Sequence, residues 1–140
     1  MELKDRVADR MRLKDLLLRD INEQKGIMSA LTFKIADSKD LVAAVRKDLA
    51  DLNYKIETYS KKIQDYEELH RLEKDASRRN GYSEKIKELC REQENYQRMR
   101  DVVSIKYKKA SSEFDGLVNE LEGTEAAVRN EERQLANIII

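Results

Sequence analysis

The sequence contains no proline and no tryptophan, and its 140 residues include one histidine, one cysteine and four glycines. Because proline interrupts helices and ordinary globular chains contain about 5% of it, its absence favours long uninterrupted helices. A single cysteine, Cys90, excludes an internal disulfide and fits a reduced intracellular setting. We therefore predict a cytoplasmic location, a class that includes cytoskeletal and ciliary proteins.

The chain also lacks an excess of either charge, since it has 28 basic and 28 acidic residues. A dedicated nucleic-acid binder or a basic membrane-surface helix would carry a positive excess. No apolar run approaches the roughly 18 residues of a membrane span, and the N-terminus has no apolar core of a signal peptide. We predict no nucleic-acid partner and no insertion into a membrane.

The usual patterns of chemical sites are missing from the sequence. It has no phosphate-binding glycine loop, no HExxH, no CxxC and no calcium-loop pattern. His70 and Cys90 lie twenty residues apart, about 30 Å on a straight helix, which is too far for a nucleophile and its base. We expect His70 to be a partly buried seam residue and Cys90 a surface thiol. The prediction is no enzyme, no cofactor and no metal site.

What the sequence does contain is a sustained heptad pattern, beside a charged fraction of 40%. With Val7 at position a, apolar residues or tyrosines fill positions a and d from Ile21 to Tyr66, except at Gln24 and Ser38. Strict spacing near 3.5 residues predicts a left-handed supercoil with a partner helix. The predicted interface residues of this half are Leu17, Ile21, Met28, Leu31, Ile35, Val42, Val45, Leu49, Leu52, Ile56, Tyr59, Ile63 and Tyr66.

The second half has a heptad frame of its own, with Ile86 at position a. Its predicted interface residues are Ile86, Leu89, Tyr96, Val103, Tyr107, Phe114, Leu117, Leu121, Val128 and Leu135. The two frames differ by two residues, and the slip falls within residues 67–82. We predict a first coiled-coil helix over 1–78, a register break or turn at 79–83, and a second helix over 84–140.

The stretch around Asn80-Gly81 leaves two architectures open. Asn-Gly can adopt the left-handed conformation that ends helices, Arg78 and Arg79 would complement a helix C-terminus, and Ser83 could cap the next helix. A lone glycine within a helix costs only about 1 kcal/mol, however, so the helix could also continue through Gly81. The fold is an all-α long coiled coil in both cases. We favour a near-continuous rod over an antiparallel hairpin turning at Asn80-Gly81.

A hairpin that turned there would bring together residues whose numbers add to about 166. That register pairs Ile63 with Val103 and Leu52 with Phe114, and its core layers are apolar throughout. The flanking charges are mixed in this hairpin and also in a parallel homodimer. Exposed pairs contribute only a few tenths of a kcal/mol each, so charge does not choose between them.

Polar residues at seam positions indicate how partners are selected. They are Lys14, Gln24, Ser38, Gln93, Arg100, Thr124 and Glu131. Such residues lower stability and can fix register or partner choice. Arg100 and Glu131 could meet opposite charges on a different chain. We therefore expect another coiled-coil chain as partner, with a heteromer favoured over a homodimer.

Some apolar residues fall outside the seam. Leu18, Ile27, Leu41 and Leu69 lie at e or g, where they would widen it. Phe33 and Tyr54 lie at position f, opposite the seam, and are the candidates for docking a globular protein.

One basic window, residues 98–109, holds five cations and Tyr107 and is followed by an acidic window. We interpret it as charge patterning on a solvated coil. The alternative is a docking patch for an acidic partner.

The heptads resemble rod segments of the large class of cytoskeletal, ciliary-transport, kinetochore and vesicle-tether coiled coils. The resemblance implies a structural or scaffolding segment that mediates protein–protein assembly. The alternative is the coiled-coil arm of an ATP-driven machine whose catalytic domains lie outside this sequence. The apolar ending NIII leads us to expect a piece of a longer protein, or an end that docks in a partner.

Overall fold

The computed structural model describes residues 2–138, which form two long helices, α1 (Glu2–Leu72) and α2 (Ala76–Ala136), and no strand. The helices pack against each other in antiparallel directions, so that Tyr66 of α1 contacts Tyr82 of α2. The all-α prediction is confirmed. Of the two architectures left open, the hairpin is found, and the near-continuous rod that we favoured is wrong.

The turn consists of three residues, Glu73, Lys74 and Asp75. The carboxylate of Glu73 accepts a hydrogen bond from the backbone N–H of Asp75 (3.1 Å), which satisfies a donor that the turn exposes. The carbonyl of Asp75 accepts the first backbone bond of α2, from Arg79 (2.9 Å). Asp75 therefore holds the N-cap position, which aspartate favours, and its negative charge suits a helix N-terminus.

Asn80-Gly81 is not the turn but part of α2, and Ser83 lies within the same helix. Gly81 has an ordinary negative φ, so the left-handed freedom of glycine is not used there. Tyr82 next to it packs on Tyr66, with ring centroids 6.2 Å apart. We attribute the continuation of the helix through Gly81 to this packing, since the penalty for one glycine is small.

The hairpin divides into two compact units. The turn unit is Leu41–Ser111, and its buried apolar side chains are Ile63, Leu89 and Ala110. The terminal unit combines the residues up to Asp40 with those from Ser112 onward. Its buried apolar side chains are Leu17, Ile21, Leu31 and Val128.

The predicted interface residues line the inside of the hairpin. Every one of them, from Leu17 to Leu135, is buried or half-buried. Two seam positions nearer the N-terminus than Leu17 are exposed, namely Leu3 at position d and Val7 at position a. Position a and d side chains of α1 therefore meet those of α2 within one chain, where burial of apolar surface stabilises the pair.

The register of the hairpin differs from the expected one. Contacting residue numbers add to 148 for Tyr66 with Tyr82 and to 155 for Tyr59 with Tyr96, not to 166. The differences of 18 and 11 residues lie on either side of two heptads, which are 14 residues. A shift by whole heptads brings the same position types together, so the apolar pattern fits both registers equally well. The pairing of Ile63 with Val103 is wrong for this reason.

Within residues 2–138 neither helix is long and apolar enough to cross a membrane. Of the final isoleucines, Ile138 follows the end of α2 and is half-buried. The expectation about the NIII ending otherwise concerns residues 139 and 140, which lie outside the described residues.

Candidate interaction surfaces

Several polar seam residues have partners inside the chain. In the turn unit the side-chain amide of Gln93 donates to Ser60 Oγ (2.7 Å) and to the carbonyl of Ile56 (3.1 Å). Arg100 lies near its neighbour Asp101, with 3.5 Å between nitrogen and oxygen. These contacts are made without a second chain.

A cluster of aromatic rings and charges lies on one side of the turn unit. The rings of Tyr59 and Tyr96 are 5.4 Å apart, and the ammonium groups of Lys55 and Lys62 lie over them, at 5.2 Å from Tyr96 and 5.3 Å from Tyr59. A hydrogen bond to Glu92, followed by partial burial, raises the pKa of Tyr59 to about 12. Tyr59 therefore acts as a donor to an acid in this cluster.

A second cation–aromatic pair lies further along the turn unit. Arg46 donates to the hydroxyl of Tyr107 (3.1 Å), and its guanidinium carbon is 5.8 Å from the ring centroid. The hydrogen bond raises the pKa of Arg46. The pair links α1 to the basic window at residues 98–109, so Tyr107 contributes to the hairpin and not to an outside surface.

Met99 lies at the meeting point of two shallow surface depressions of the turn unit. One, of about 380 Å³, is lined by Tyr59, Glu92, Asn95, Tyr96 and Met99. The other, of about 350 Å³, is lined by Asp48, Asp51, Leu52, Lys55, Met99 and Val103. Both are open to solvent and combine apolar with charged walls. Such a surface suits the side chains of a docking protein better than a buried small molecule.

An exposed apolar stripe begins at Met99 and continues along α2 through Val102 to Ile105. The three side chains are between 53% and 69% exposed. They lie three residues apart, so successive members are neighbours on the helix surface. The stripe falls within the basic window, whose cations include Arg98 and Lys106.

The sequence-based interpretation of residues 98–109 considered their charges and missed the exposed apolar side chains among them. Met99, Val102 and Ile105 lie at positions g, c and f of the second heptad frame. Three apolar residues off the seam at regular spacing were the available signal.

The two residues predicted for docking are both strongly exposed. Phe33, in the terminal unit, is 76% exposed, and Tyr54, in the turn unit, is 72% exposed. The two residues belong to different units. Leu18, Ile27, Leu41 and Leu69 also keep more than a third of their surface exposed.

The residues considered for chemistry, His70 and Cys90, lie in different helices. His70 is half-buried in the last turn of α1. Cys90, for which a surface thiol was expected, is half-buried in α2. Within residues 2–138, no group of three or more histidine, cysteine, aspartate or glutamate side chains could hold a metal ion.

The described fold belongs to the class of all-α helical hairpins. Comparison with protein-family models, with curated proteins and with solved structures finds no match for the chain.

Proposed function

We propose that the chain is a structural coiled-coil segment that mediates protein–protein assembly, with the hairpin presenting its outer surface to a protein partner. The carrying observation is that the apolar seam is used within the chain while large apolar side chains remain exposed outside it. Exposed apolar groups on an ordered surface are typical of interaction sites.

The use of the seam within the chain limits where a partner can bind. The predicted interface residues from Leu17 to Leu135 are already buried or half-buried within the chain. A coiled-coil partner must therefore meet an outer surface, unless it opens the hairpin. We expect a different protein chain to bind there.

The apolar stripe on α2 is the surface that we expect to bind the protein partner. In the turn unit, Met99, Val102 and Ile105 form a group of exposed apolar residues outside the seam. The basic window that contains this stripe adds positively charged residues near it in sequence. An acidic protein surface with apolar side chains complements it in both respects. Phe33 and Tyr54 present single aromatic rings, which provide smaller contacts.

The wider setting belongs to the same proposal. A cytoplasmic assembly such as a cytoskeletal, ciliary-transport, kinetochore or tethering complex would use a hairpin of this kind to hold two partners at a fixed spacing.

The experiment is affinity capture from the source cells with three forms of the chain. The first is the wild type, and the second carries Val102→Ser and Ile105→Ser. The third is the matched control Leu13→Ser with Leu16→Ser, which removes two exposed apolar groups, also three residues apart, from the other unit. We expect a specific acidic protein to be captured by the wild type and the control and to be lost from the stripe variant.

The mass of each form, from light scattering after size exclusion, completes the test. A monomer supports an outer surface that is free for a partner. A wild-type dimer that the stripe variant converts to monomer would replace the proposed partner with a second copy. Equal capture by all three forms contradicts the assignment of the stripe.

A further inference from the structure

A polar cluster joins the two helices of the terminal unit at the seam. The side-chain amide nitrogen of Gln24 donates to Asp20 Oδ2 on its own helix and to Glu131 Oε1 on α2, both at 2.9 Å. One amide group thus bridges two carboxyl groups. These three residues are called the acid cluster below.

The acid cluster has two buried oxygen atoms without a hydrogen-bond partner, Gln24 Oε1 and Glu131 Oε2. Both are acceptors as long as Glu131 is ionised, and neither can donate to the other. Buried polar atoms without partners lower stability. A single proton on Glu131 turns one of its oxygens into a donor, for which Gln24 Oε1 and the Asp20 carboxylate are the acceptors at hand.

The charges around the cluster do not neutralise Glu131. Asp20 on α1 is the charged group that faces it, and it carries the same sign. Beside the cluster, Lys25 of α1 and Glu132 of α2 form an ion pair of 3.5 Å with each other. That pair is about half exposed, so solvent screens its effect on Glu131.

We propose that Asp20, Gln24 and Glu131 form a proton-dependent latch between α1 and α2: uptake of one proton by the cluster tightens the pairing of the helices in the terminal unit, and its loss loosens that pairing.

The direction of the pKa shift agrees with the geometry. A hydrogen bond that protonated Glu131 can donate to Asp20 is the first cause that raises the pKa of Glu131 above its ordinary value. Burial and the charge of Asp20 follow as causes, while Gln24 lowers this pKa by less. A carboxyl group whose pKa is raised in the folded state binds its proton more tightly there than in the unfolded state. Its favourable contribution is complete below the ordinary value of 4.5 and is lost as the pH rises through the raised value.

Amide hydrogen exchange on the full chain at about pH 4 and about pH 7.5, corrected for the intrinsic effect of pH, tests the latch. We expect the amides of residues 17–24 and 128–135 to lose protection several-fold at the higher pH. In Glu131→Gln, a neutral side chain of the same shape can donate to Asp20. Protection in that variant should stay high and independent of pH.

Glu132→Gln is the matched control, because it removes a neighbouring carboxylate outside the cluster, and it should keep the wild-type response to pH. A carbon-detected NMR titration of Glu131 in the wild type needs no substitution and should give a midpoint above 4.5. A midpoint at or below that value overturns the latch, and so does the same pH response in wild type and Glu131→Gln.

Discussion

Gln93 of α2 and Ser60 of α1 are joined by a hydrogen bond of 2.7 Å from the side-chain amide to the hydroxyl. The same amide nitrogen also donates to the backbone carbonyl of Ile56 at 3.1 Å. Apolar seam residues permit pairings one or two heptads apart, whereas this polar contact is made in one register only. Gln93 therefore selects the register of the turn unit.

Gln93→Leu should leave the hairpin folded but broaden its register. Leucine fits a seam position, so we expect little loss of stability, while the contact that excludes shifted pairings is removed. The measurement is double electron–electron resonance between spin labels placed at Glu57 and Glu94, which are both exposed, in a Cys90→Ser background.

One narrow distance distribution is expected for the wild type and a broad or double one for Gln93→Leu. The same change at Gln97, which lies off the seam, should leave the distribution narrow. An unchanged distance distribution in Gln93→Leu would show that Gln93 does not select the register.

Leu89→Ala should destabilise the chain strongly because Leu89 is only 4% exposed at the core of the turn unit. Removal of a buried leucine side chain costs about 2–5 kcal/mol, whereas surface changes stay within about 0.5 kcal/mol. Leu69→Ala, in the same unit but 45% exposed, is the control and should cost much less. The measurement is urea unfolding followed by circular dichroism. Equal losses in the two variants would mean that Leu89 is not in the core.

Gly81→Ala should stabilise the chain by about 0.5–1 kcal/mol, since alanine is the better helix former. An added Cβ has nothing within 4 Å, and the backbone needs no positive φ. Gly81→Pro should cost about 3 kcal/mol at the same interior position. Thermal unfolding of both variants checks the pair. A loss of stability in Gly81→Ala would favour a turn at Asn80-Gly81 instead of at Glu73–Asp75.

Tyr59 should ionise near pH 12, well above its ordinary value of 10.0. A titration followed by tyrosinate absorbance should show a late component that is absent in Tyr59→Phe. Glu92→Gln should lower its midpoint, because the charged acceptor is the largest cause of the shift. The pKa is raised on folding, so this interaction stabilises the fold below pH 10 and is lost as the pH rises towards 12. A late component unchanged in Glu92→Gln would assign the shift to another cause.

The sequence was sufficient to predict an all-α fold of long helices, and the predicted interface side chains are buried or half-buried, since heptad spacing and burial have the same physical origin. It was insufficient for the turn, because Asn80-Gly81 was judged by local preference while packing of Tyr82 on Tyr66 favours helix there. The cap at Asp75 was available as a signal but was not used. The prediction of the helix register failed for a different reason. Apolar positions repeat every seven residues, so the pattern permits several registers.

The exposure of Phe33 and Tyr54 could be predicted because position f points away from any seam, and both are exposed. Their role in docking stays a prediction. The hydrogen bond of Gln24 to Glu131 joins residues 107 apart in sequence, and it depends on a register that the pattern does not determine. The partners of the polar seam residues could therefore be identified only from the structure.

The three-residue turn also determines how the chain folds in time. Tyr66 and Tyr82 are separated by 16 residues, whereas Gln24 and Glu131 are separated by 107. Contacts close in sequence lose the least chain entropy when they form, and each one shortens the loop that the next must close. Folding should therefore begin beside the turn, so that a change at Leu89 slows folding while a change at Leu31 mainly speeds unfolding.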